Sequence, residues 1–304
     1  MSGRSEDLIT VGAVAYHPRV VTIWERFRAW LTEAGAPTDY LLFSNYERLV
    51  EAVLEGEVDI GWHTNTAFVA LERALGREAP ILGMRDRDAD FATVIVTRRG
   101  ETFDDVEELA GRRLALGSRD SGHAAILPLY YLARQGLDAA ADCQLVRFDT
   151  HLGKHGDTGD SELRVVEAVA EGTADAGALG DVTWATFRTQ GLPVTGQLEI
   201  AWRSPTYYHC NFTALPSIDA LRAARWQRAL LAMDYDDPAV REAMTLEGVR
   251  RWLPGDRVGY TDLADAMAVA HDAERRGRPG AAARRARPAP TDAPEVGGDE
   301  SAYE

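Results

Sequence analysis

Short apolar runs alternate with stretches of helical periodicity from Leu8 onward. Residues 8–16, LITVGAVAY, read as a buried strand. Val20, Ile23, Trp24, Phe27 and Trp30 then recur at the spacing of one helix face, predicting a helix over 19–33. The pattern continues with strand 40–43, helix 46–55, strand 58–62 and helix 64–74. A strand at 91–97 breaks the alternation. It restarts with strand 113–117, helix 121–134, strand 144–148, helix 161–171, strand 174–179 and helix 181–188. Extended pieces follow at 194–202 and 207–213, then helices at 218–233, 238–247 and about 261–273. This alternation predicts the α/β class, with parallel strands and helices on the sheet faces.

An internal echo predicts two related lobes. VEAVLEGEVDIGW from Val50 and VEAVAEGTADAGA from Val166 are identical at eight of thirteen positions, 116 residues apart. Each reads as a helix end, a glycine turn and a strand carrying Asp then Gly. The expected division is 1–90 plus 200–273 for one lobe and 91–199 for the other, with crossings near 85–95 and 195–210. Residues 274–304 are rich in Pro, Ala, Gly and charge, which predicts a disordered tail.

The net charge of -15 argues against nucleic acid and anionic membranes as partners. It does not argue against a small anion, which feels local dipoles first. Cys143 and Cys210 lack CxxC spacing, so neither a disulfide framework nor a Cys-built zinc site is expected. No apolar run approaches the ~20 residues of a membrane span. Glu6 and Asp7 precede a short strand-like run rather than an export signal, so the expectation is a cytoplasmic protein. An ABC permease would be a partner only if an export signal lay outside this sequence.

Ligands of open α/β sheets bind beyond the carboxyl ends of the strands. Tyr16 and His17 follow the first strand, and His63, Thr64 and Asn65 follow the third. Ser118, Ser121, Gly122 and His123 follow the strand at 113–117. His151, Lys154, His155, Asp157 and Thr158 lie in HLGKHGDTGDSELRV, Asp181 follows the strand at 174–179, and SPTYYHCNF carries Tyr207, Tyr208 and His209. Six of the seven histidines fall in these segments, which marks them as the place to look for chemistry. Thr64 or Asn65, Ser118 or Ser121, and Thr158 or Asp160 could cap helices whose N-termini offer free N–H groups to an anion. The same residues also serve as plain caps. An alternative is a site in which His63, His123, His155 and His209 act with Asp157 as acid–base groups, or in which His123, His155 and Asp157 hold a divalent metal. No GxSxG, P-loop or GxGxxG motif is present.

EGEVDIGWHTNTAFVAL, GRRLALGSRDSGHAAILPLYYLARQGLD, GDSELRVVEAVAEGTADAGAL and SPTYYHCNFTALP together resemble the phosphate/phosphite/phosphonate substrate-binding family of ABC transporters, which has the type 2 periplasmic-binding-protein fold. The resemblance runs from about residue 8 to 270. It implies a two-lobed α/β fold with a hinge and an interlobe ligand cleft. It also implies a small anionic or zwitterionic, phosphonate-like metabolite as the partner, and Ser121 with Gly122 as the part of the anion loop that carries over. Tyr16, Thr64, Asn65, Ser118, Ser121, Gly122 and Thr158 would then be donors, with Tyr207 and Tyr208 on the hinge side. The same fold also serves cytoplasmic enzymes, some with cleft histidines and a metal, and such an enzyme is the alternative function.

Overall fold

The computed structural model describes residues 7–277. The described residues up to Met267 form one compact unit. A second unit begins at Ala268, and its described part is the continuation of a helix to Gly277. The tail expected to be disordered, 274–304, lies outside the described residues from 278 on.

In chain order the first strands and helices are β1 (Ile9–Val14), α1 (Arg19–Glu33), β2 (Thr38–Phe43), α2 (Tyr46–Leu54), β3 (Ile60–His63), α3 (Asn65–Leu75) and β4 (Ile81–Arg85). Next come β5 (Thr93–Arg98), β6 (Arg113–Leu116), α4 (Leu127–Arg134), the short α5 (Ala139–Asp142), β7 (Gln144–Arg147), α6 (Asp160–Ala170), β8 (Ala176–Gly180), α7 (Asp181–Thr189) and β9 (Leu198–Arg203). The last are β10 (Asn211–Ala214), α8 (Ala220–Leu231), α9 (Pro238–Glu247), β11 (Trp252–Leu253) and α10 (Thr261–Gly277).

The strands form two sheets, ordered β11-β4-β10-β3-β1-β2 and β7-β6-β8-β5-β9. Apart from the added β11, the two orders match strand for strand. In each, three strands are parallel and a fourth runs antiparallel beside them: β10 against β3, and β5 against β8. The sequence echo has a local cause. The Asp59 carboxylate accepts the Thr10 N–H at 2.8 Å, tying β3 to the start of β1. Asp175, 116 residues on, accepts the Arg113 N–H at 2.8 Å and ties β8 to β6 in the same way. Gly56 and Gly172 turn the chain ahead of each with φ of 75° and 74°, a left-handed conformation that glycine adopts without a Cβ clash.

Each sheet buries apolar residues on both faces, as parallel strands between helices must. β1 is buried along its whole length. One large core joins β1, α1, α8 and α9 around Trp24, Phe27, Phe212 and Trp226. The second sheet packs α6 and α7 on one face and α4 on the other. The chain passes from the first sheet to the second between β4 and β5, and returns between β9 and β10. These two passages are bonded to each other: Phe91 N–H donates to Tyr207 O at 3.1 Å, and Tyr207 N–H to Phe91 O at 2.8 Å. Phe91 and Tyr207 also pack in one buried cluster with Phe68 of α3 and Leu127 and Tyr131 of α4.

Candidate functional site

A cavity of about 660 Å³ opens between the strand ends of the two sheets. Its size falls in the range of small-molecule sites, ~300–1,000 Å³. Of the residues singled out in the sequence, Tyr16, His17, His123, His151, Lys154, Asp157, Thr158, Asp160 and His209 line it. His63, Thr64, Asn65, Ser118, Ser121, Gly122, His155, Asp181, Tyr207 and Tyr208 are not among its lining residues.

The reason lies in how the second group is bonded. Thr64 caps α3, accepting the Ala67 N–H, and Ser121 accepts the Ala124 N–H at the π-helical turn Gly122–Ile126 that leads into α4. The His155 ring then fills the space in front of α3. Its Nδ1 lies 2.6 Å from Thr64 Oγ1 and 2.7 Å from Thr66 Oγ1, and the ring stacks on Tyr46 at 4.8 Å. Ser118 donates to Thr150 O at 3.0 Å. Tyr207 hydroxyl pairs with Thr93 Oγ1 at 2.9 Å, Tyr208 hydroxyl with Asp256 at 3.3 Å, and Asp181 with Arg203 at 2.5 Å. These groups serve the hinge and the loop between β7 and α6.

That loop is wound by left-handed residues: Gly153, Gly156 and Gly159, and also His151 and His155, with φ of 54° and 52°. It reaches across to the first sheet's elements. Gly153 O accepts the Tyr46 N–H at 2.9 Å, Lys154 Nζ donates to Ala15 O at 2.8 Å, and the Tyr46 hydroxyl donates to Asp157. Gly156 is required here, because a Cβ would come 2.8 Å from Ser121 Oγ and 3.0 Å from His123 Nε2.

The cavity floor holds a buried polar chain. Asp88 takes both Nε and Nη2 of Arg85, at 2.5 and 2.9 Å. Burial opposes its charge, but the guanidinium and His209 prevail and hold its pKa at about 2. Arg85 also donates to Glu247 at 3.1 Å and lies over the Trp62 ring. His209 stacks on Phe91 at 4.5 Å, and its Nε2 lies 3.2 Å from His123 Nδ1. Burial lowers the His209 pKa. Burial pulls the same way on His123, but the Glu162 carboxylate, 3.3 Å from Nε2, outweighs it and raises the pKa. The two rings of this pair are thus biased in opposite directions, His123 toward its charged form and His209 toward its neutral one.

Arg19, Arg85, Arg87, Trp62 and Glu247 also line the cavity and were not singled out in the sequence. Arg85 and Arg87 lie in ILGMRDRDAD, a stretch whose strand β4 gives no clear periodic signal. Arg87 makes no side-chain hydrogen bond or ion pair among the described residues. Burial lowers its pKa, and the neighbouring Arg85 charge adds to the effect. Its guanidinium lies against Gly248, where a Cβ would come within 2.2 Å of Nη1.

This arrangement has known counterparts. The model of a family described as "ABC transporter, phosphonate, periplasmic substrate-binding protein" matches residues 9–257. The chain belongs to that family. It is 20% identical over 272 residues to the probable ABC transporter phosphite binding protein PhnD1 of Prochlorococcus marinus, covering 85% of this chain and 88% of that protein. The solved structure of PhnD1 in complex with methylphosphonate superposes with a TM-score of 0.69 at 18% identity, over 88% of this chain and 99% of the other. XAC2383 from Xanthomonas citri bound to ATP gives 0.69 at 21% identity, over 88% and 98%. At these identities the superpositions establish the two-lobed fold.

The binding protein thus holds a small ligand in a cleft between two lobes, and the family match lends no support to the enzyme alternative. The expectation of a cytoplasmic protein is corrected: the family is one of periplasmic substrate-binding proteins. That expectation rested on the first residues, of which Ile9–Val14 are the fully buried strand β1 and carry no information about export. Among the described residues no helix is long and apolar enough to cross a membrane.

Proposed function

We propose that the chain captures a phosphonate-type anion between its lobes and presents it to an ABC permease. Arg87 carries this reading. A half-buried guanidinium without a partner is costly, and a ligand oxyanion would offset that cost. The planar fork suits two oxygens of a phosphonate at once. Arg19 and Lys154 add positive charge at the same cavity, His123 lines it, and Tyr16 and Thr158 add hydroxyl donors. The phosphite named for PhnD1 and the methylphosphonate in its structure support the ligand class. The proposed lobes are 1–90 with 200–273, and 91–199, closing about the paired passages at Phe91 and Tyr207.

Isothermal titration with methylphosphonate, phosphite and inorganic phosphate tests this. Saturable binding of at least one is expected in the wild type. Arg87→Gln should weaken it about tenfold or more, since a charge-assisted hydrogen bond contributes ~1.5–3 kcal/mol. If none of the three binds, or if Arg87→Gln binds as the wild type does, the reading fails.

A further inference from the structure

Two triads of potential metal-ligating atoms converge among the described residues, the first beside Arg87 and the second with no member lining its cavity. In the first, Asp88, His209 and Cys210, the carboxylate is already held by two nitrogens of Arg85, so it has little left to give a metal. The second is Glu47, Asp120 and His155, whose ligand atoms all lie within 4.8 Å of one another. His123 and Asp157, weighed with His155 as metal ligands in the sequence, are engaged elsewhere, with His209 and Tyr46.

Three features single out the second triad. His155 Nδ1 is taken by the Thr64 and Thr66 hydroxyls, so Nε2 is the nitrogen turned toward Glu47, 3.4 Å from Oε1. A ring nitrogen anchored in this way fixes the orientation of the other as a ligand. Asp120 accepts the Gly153 N–H with Oδ2, while its Oδ1 is buried and has no hydrogen-bond partner. A buried carboxylate oxygen without a donor calls for a cation. Finally, Glu47 lies in the first turn of α2, whereas Asp120 and His155 lie in loops after β6 and β7 of the other sheet.

We propose that Glu47, Asp120 and His155 form a binding site for one divalent transition-metal ion, which would join the two lobes. One imidazole and two carboxylates suit Zn²⁺ and leave a coordination position open for water. Carboxylates and imidazole bind a metal only in their deprotonated forms, so affinity should fall as the pH drops. The site does not depend on the proposed anion at Arg87.

Titration of the metal-free protein with ZnCl₂, followed by calorimetry and by thermal unfolding, tests this. One equivalent is expected to bind, to raise the melting temperature and to be released by EDTA. His155→Gln and Asp120→Asn should each weaken binding about tenfold or more. Glu47→Gln should do so too, and since Glu47 is the exposed member its variant remains folded if the buried ones do not. Arg87→Gln should bind zinc as the wild type does, even if it has lost the anion. The proposal is overturned if wild type shows no saturable uptake. It is equally overturned if zinc binds Glu47→Gln and His155→Gln undiminished, which would mark adventitious binding at other histidines.

Discussion

His63 shows how a polar residue at a strand end can turn inward. Its ring folds over Gly61, where a Cβ would come 2.1 Å from the ring, and neither nitrogen has a hydrogen-bond partner among the described residues. Burial first, and the His155 charge second, lower its pKa to about 3. The unfolded chain takes up a proton near pH ~6.5 that the folded one refuses until about 3. The His63 contribution is therefore present above the unfolded value and is lost as pH falls below it, at about 1.4 kcal/mol per pH unit. Between about pH 7.5 and 5, His63→Phe should lose ~2 kcal/mol less stability than the wild type. Urea unfolding at the two pH values measures this, and equal losses would refute it. His123 and His209 titrate in both proteins and cancel in the comparison. In the sequence, His63 and His123 carry the same signal, a histidine after a strand. Only packing separates the orphaned ring, whose pKa burial lowers, from the one whose pKa Glu162 raises.

The helix–Gly–strand unit repeated at Val50 and Val166 is a device for starting a parallel sheet. In each copy the Asp side chain accepts an N–H near the start of the neighbouring strand, Thr10 in β1 and Arg113 in β6. Asp59→Ala should cost about 1–2 kcal/mol through the lost bond from the Thr10 N–H. Asp175→Ala should cost more, because Asp175 also holds the Arg113 guanidinium at 2.5 Å. The two sites share no partner, so the double variant should lose the sum within ~0.5 kcal/mol. Chemical denaturation of the three variants decides this, and a clear departure from additivity would mean that the lobes unfold as one coupled element. At this scale the sequence was nearly sufficient, since apolar periodicity located most helices and strands within a few residues. It missed β4 and β11, whose short apolar runs derive their strand character from neighbours rather than from an internal period.

The compact unit that ends at Met267 is a pair of matched sheets held by two passages and by one loop. That loop, wound through His151–Gly159, is pinned to the first lobe by Tyr46, Thr64, Thr66 and Ala15. Tyr46→Phe removes the bond to Asp157, a charge-assisted contact of ~1.5–3 kcal/mol, and should move the open–closed ratio on the order of tenfold toward open. Small-angle scattering of the ligand-free variant should show a larger radius of gyration than the wild type, and an unchanged radius would show that the loop does not govern closure. The sequence by itself determined the α/β class, the internal echo and the family, because local periodicity and short motifs need no long-range contacts to be read. It also located the polar strand ends that converge on the cleft. The tertiary structure decided which of those residues line the cavity. Thr64 and Ser121 face His155 and their own helices, while Arg87 and Glu247, 160 positions apart, face the cavity. Whether a polar side chain is spent on the fold or left for a ligand depends on partners brought in from distant segments, and no local pattern encodes them.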